Sequence, residues 1–103
     1  MAQRRRRIVW TDQAREALDE VLEFVAHDSP TAARSLVEKF LQAAASLATL
    51  SERGRVVPEM EDATIRELLI QRYRLIYQVA DDEVSVLAVL HGARDFAHWQ
   101  EHS

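Results

Sequence analysis

One stretch constrains the fold more than any other. It runs from Ile65 to His91 and divides into three successive strands: Ile65–Ile70, Tyr73–Ala80 and Glu83–Leu90. The second and third are rich in Val, Ile, Leu and Tyr, which suit a pleated, half-buried surface. Ala80-Asp81-Asp82 between them has hairpin length, so the pair reads as antiparallel. Side chains alternate along a strand. Tyr73, Leu75, Tyr77 and Val79 therefore share one face of the second strand, and Arg74, Ile76 and Gln78 the other. Alternation on the third strand places Val84, Val86 and Ala88 on one face and Leu87 and Val89 on the opposite one. Both faces are apolar, and such a strand is covered on both sides.

The chain before this stretch reads as helical. Arg7–Trp10 is short and β-branched, a brief first strand. Thr11 or Asp12 caps a helix that runs to about His27, with Ala14, Ala17, Leu18, Val21, Leu22 and Val25 as its apolar stripe. Ser29-Pro30 opens a second helix, since serine caps and proline loses no hydrogen bond at the first helical position. Its stripe extends from Ala33 through Phe40 to Leu50, and Ser51–Gly54 stops it, with Gly54 suited to a left-handed cap. So short a joint makes the two helices an antiparallel hairpin. Residues 55–64 hold Pro58 and read as an irregular connection. After His91, Gly92 breaks the strand, and Asp95–His102 reads as a short helix carrying Phe96 and Trp99.

The expected fold class is α+β in the order β-α-α-β-β-β, with a helical hairpin packed on one face of a small, mainly antiparallel sheet. Residues 1–103 form a single domain, with residues 1–7 a basic arm and residues 92–103 a C-terminal tail. The 103 residues include no cysteine, which excludes a disulfide scaffold. Four scattered histidines suggest no metal site, and no cofactor is expected. No apolar run approaches a membrane span, and the expected location is cytoplasmic. A net charge of −4 argues against a broad nucleic-acid-binding face. The charge is uneven, however. Arg4–Arg7 are four consecutive arginines, read either as a contact for an acidic partner or phosphates or as a solvated tail.

The residues also resemble a known family. Trp10-Thr11 with Ala14 and Leu18, Asp28-Ser29-Pro30 with Ala33, and Gly54-Arg55 with Pro58-Glu59 match in order. So do Ile65-Arg66-Glu67-Leu68, Tyr73-Arg74-Leu75-Ile76-Tyr77 and His91-Gly92-Ala93-Arg94-Asp95. Over residues 8 to 96 the chain resembles the ParE/RelE superfamily of bacterial toxins, the ParE branch most closely. The resemblance implies a toxin of a type II toxin–antitoxin system, associated with plasmid stabilisation. Its implied partner is a ParD-like antitoxin whose disordered C-terminal part folds onto it. A ParE-like toxin inhibits DNA gyrase by binding. The alternative, a RelE-like toxin, cuts messenger RNA in the ribosomal A site.

Cleavage of that kind needs an acid, a base and cations for the phosphate. Arg74 and Arg94 match phosphate-binding positions of RelE-like enzymes, and His91 and His98 are the available acid–base groups. The tail has no tyrosine, and Lys39 is the only lysine. A structural role is the competing reading: Arg74 paired with Glu67 across strands, and Arg94 paired with Asp95 or Glu59. Two helices contiguous in sequence cover only one face of the sheet, and the tail is read either as capping part of the other through Phe96 and Trp99 or as a contact surface for the target. Apolar surface left beside Leu87 and Val89 is then an expected docking site. The expected partner-binding set is Arg66, Arg74, Leu87, Val89, Arg94, Phe96 and Trp99.

Overall fold

The computed structural model describes residues 5–101, with residues 92–94 by backbone only. The three strands from Ile65 onward form the centre of a five-stranded sheet. The elements are β1 (Arg7–Trp10), α1 (Asp12–Asp28), α2 (Pro30–Ser46), β2 (Arg55–Val56), β3 (Ile65–Ile70), β4 (Tyr73–Val79), β5 (Glu83–Leu90) and α3 (Gly92–Glu101). The sheet order is β1-β5-β4-β3-β2. β1 lies parallel to β5, and the other neighbours are antiparallel. The fold is α+β, with α1 and α2 as the expected hairpin on one face.

The caps form as their residue types dictate. The Thr11 hydroxyl accepts from the Ala14 amide at 3.1 Å, and the Ser29 hydroxyl accepts from the Ala32 amide at 3.1 Å. The end of α2 comes earlier than its apolar stripe implied. After Ser46 the chain tightens: the Leu47 and Ala48 amides donate to Ala44 and Ala45, three residues back. Leu47 is buried by this turn and Leu50 is left half exposed. Gly54 is not left-handed. It is required by a close approach, since a Cβ there would lie 2.5 Å from the Glu67 carbonyl oxygen and 2.5 Å from the Tyr77 hydroxyl. The connection expected to be irregular contains β2, whose two residues pair with Glu67 and Arg66. Two residues carry no periodicity by which to recognise a strand.

A bulge corrects the expected faces of β5. Ile76 pairs with Ala88 but Tyr77 pairs with Val86, which leaves Leu87 as the extra residue. One extra residue reverses the alternation beyond it. Val84, Val86 and Val89 therefore join Leu18, Phe40, Leu47, Leu75 and Tyr77 under the helical hairpin. Ala88 and Leu90 point the other way, and Leu87 packs with them.

The second face is not open. Val57, Ile65, Ile76, Ala88, Leu90, Phe96 and Trp99 form a separate core there, closed by α3. Phe96 is 2% exposed and Trp99 7%. The apolar surface expected beside Leu87 and Val89 is thus absent: Val89 is buried beneath the hairpin and Leu87 is half-buried against the second core. Among the described residues no helix is long and apolar enough to cross a membrane.

Candidate partner-binding site

Arg74 lies on β4, on the face covered by α3. Its Nε donates to Glu67 on β3, whose side chain is fully buried. Its Nη1 and Nη2 donate to the two oxygens of Glu59 at 3.0 and 2.9 Å. The second oxygen of Glu67 accepts from Arg55 Nε on β2. The Arg74 guanidinium also sits 4.7 Å from the centroid of the Phe96 ring, a cation–π distance. One arginine therefore joins β3, β4, the 57–64 connection and α3. Fork-to-carboxylate bonding holds the Glu59 carboxyl below its ordinary value, with the hydrogen bond from Arg74 as the largest cause. The same pairs raise Arg74 further above its ordinary value. Arg74 is 8% exposed, so few of its donors are left to meet a ligand.

A groove opens where α1 faces the end of β5 and the start of α3. It consists of two adjoining cavities, of about 410 and 370 Å³, which share Ala17, Glu20, Val89 and Asp95. Trp99, His98 and Glu16 line the first. Phe24, Tyr73, Arg72 and His91 line the second. Phe24 is 75% exposed, the largest exposure among the large apolar side chains described. The floor is apolar, and Glu16, Glu20 and Asp95 give the rim carboxylates. The His91 ring lies tilted against Tyr73 with centroids 5.2 Å apart, and its amide donates to Asp95.

The residue and fold pattern has a counterpart among known proteins. The family described as ParE toxin of the type II toxin–antitoxin system parDE matches residues 8–96. The chain belongs to this family. A relative, Toxin RelE2 of Caulobacter vibrioides, is 36% identical over 88 residues, which are 84% of this chain and 96% of that protein. The chromosomal ParDE system from P. aeruginosa contains a chain with TM-score 0.69 at 20% identity, covering 85% of this chain and 97% of that one. The toxin–antitoxin complex RelBE2 from Mycobacterium tuberculosis gives TM-score 0.58 at 24% identity, covering 86% and 93%. These two establish likeness of fold.

Within this ParE-family fold the residues singled out from sequence separate into three places. Arg74, Phe96 and Trp99 come together around α3, with Leu87 at the edge of their core. Val89, His98, Trp99 and His91 border the groove. Arg66 stands apart, donating to the Glu52 and Gly54 carbonyl oxygens at 3.2 and 2.7 Å. The Arg94 side chain lies outside the described residues, as do residues 1–4 of the basic arm. Phe24, Glu20 and Arg72 escaped the sequence reading. Phe24 carried a signal, because it is an aromatic residue off the apolar stripe of α1.

Proposed function

We propose that this toxin acts by binding DNA gyrase and is held inert by an antitoxin segment seated in the groove between α1 and α3. The observation that carries the choice of binding over RNA cleavage is the state of Arg74. A phosphate-binding arginine needs free donors at the site, and Arg74 directs its donors at Glu67 and Glu59. Releasing it for a substrate would leave Glu67 buried with less compensation for its charge. The family match, to the ParE toxin of parDE over residues 8–96, supports the same reading.

The groove suits an amphipathic helix with apolar anchors and basic flanks. Phe24, Val21 and Ala17 supply the apolar contacts, and Glu16, Glu20 and Asp95 supply the complementary charge. The test pairs a supercoiling assay with a ribosome-bound message. We expect purified toxin to inhibit gyrase and leave the message intact, and the co-encoded antitoxin to reverse the inhibition. Message cleavage without gyrase inhibition would replace this reading with the RelE-like one. Phe24→Ala, at so exposed a position, should leave folding unchanged and weaken antitoxin binding measurably by calorimetry.

A further inference from the structure

At the end of the sheet remote from this groove, the chain holds two half-buried arginines in an unusual condition. Arg6 enters just before β1. Its Nε donates to the Ala80 carbonyl oxygen at 2.7 Å and its Nη1 to the Ser51 hydroxyl at 3.1 Å. Its backbone amide is fixed as well, on the Ala48 carbonyl at 2.7 Å. Arg66, from β3, is pinned through Nη1 to the carbonyl oxygens of Glu52 and Gly54. Arg6 and Arg66 line one cavity of about 330 Å³ together with Thr64, Glu52 and Asp81.

These anchors are neutral oxygens. They hold each side chain in place without cancelling its charge. Arg7, Arg55 and Arg74 differ, since each makes an ion pair with a glutamate. Among the described residues Arg6 and Arg66 make none. A guanidinium has five N–H donors. Two are engaged in each case, which leaves three on Arg6 and three on Arg66. Side chains already ordered lose little further entropy when they bind.

We propose that Arg6 and Arg66 form a binding site for a phosphoryl group. A planar carboxylate has two oxygens and is saturated by one guanidinium fork. A tetrahedral phosphate offers enough oxygens for two forks that arrive from different elements. Glu52 and Asp81 on the wall disfavour a long polyanion and leave room for a compact one. The group is either free inorganic phosphate or the terminal phosphate of a nucleoside monophosphate.

The experiment titrates the full chain with inorganic phosphate, and separately with a nucleoside 5′-monophosphate, at constant ionic strength, reading backbone amide shifts by NMR. We expect saturable shifts confined to residues 51–54, 64–66 and 79–81. Arg6→Gln and Arg66→Gln should each weaken binding about tenfold, the loss of one charge-assisted contact. Arg66→Lys should retain part of the affinity should Arg66→Gln fail to fold. Exposed Arg15→Gln and Arg34→Gln should leave binding unchanged. Tighter binding of the nucleotide would identify it as the source of the phosphate, and equal binding would identify the free anion. Unsaturable shifts, shifts spread over the surface, or equal weakening by all four glutamine variants would overturn the site.

Discussion

The Tyr77 hydroxyl accepts a hydrogen bond from the Gly54 amide at 3.0 Å, 23 residues away in the chain and buried. This contact fixes the exit from α2 against the middle of the sheet. Glycine is needed because a Cβ here would collide with the Glu67 carbonyl oxygen and the Tyr77 side chain. Burial pushes the Tyr77 hydroxyl above its ordinary value, so it stays protonated through the neutral range.

Gly54→Ala should therefore cost about 3 kcal/mol, at the upper end for overpacking, because one neighbour is rigid backbone. Tyr77→Phe should cost about 1–3 kcal/mol by leaving the Gly54 amide buried without its acceptor. Denaturant unfolding of both variants checks the pair, and a Gly54→Ala protein of unchanged midpoint would contradict the close approach.

Acid should loosen the α3 side of the sheet first. Arg74 lowers the Glu59 carboxyl in the folded chain below its unfolded value of about 4.5. A lowered carboxyl contributes stability that is present above the unfolded value and fades as pH falls through the folded one. The unfolding midpoint should drop as pH is taken below about 4.5, and Glu59→Gln should make that drop shallower. Arg74→Ala should cost about 3 kcal/mol or more, since Glu67 would keep only Arg55 against its buried charge.

Deleting the chain after Ala93 removes Phe96 and Trp99 from the second core. Loss of a buried aromatic costs about 3–5 kcal/mol each, against a total stability of about 5–15 kcal/mol for a domain. The truncated protein should lose cooperative thermal unfolding. A truncated chain with an unchanged melting transition would mean that α3 is not part of the folding unit.

Gln71 carries a φ of 56° in the β3–β4 turn. Side chains pay for the left-handed region and glycine does not. Gln71→Gly should stabilise the protein by about 0.5–1 kcal/mol and Gln71→Val should destabilise it, both read from thermal unfolding.

Much of this molecule is written locally. Thr11 and Ser29 cap helices because their hydroxyls reach amides three residues on. β3, β4 and β5 follow from runs of strand-forming residues divided by short polar turns. The order of elements apart from β2 and the resemblance over residues 8 to 96 were readable in the sequence, and the family match covers the same residues. The Arg74–Glu67 pair was also within reach, since the two residues lie on adjacent strands of one hairpin.

Tertiary structure decided the rest. Which side Val89 faces depends on Leu87 being left out of the β4–β5 ladder, and a bulge has no sequence period of its own. Whether the second sheet face is open depends on α3 folding back over it, which amphipathic spacing in residues 95–102 permits but does not direct. β2 exists because Arg55 meets Glu67 across 12 residues of chain. The groove at Phe24 and the cavity that Arg6 and Arg66 both line are likewise long-range events. Hydrogen bonding and periodicity within a segment are set by neighbours in sequence. Faces, edges and cavities are set by whatever the packed chain brings beside them.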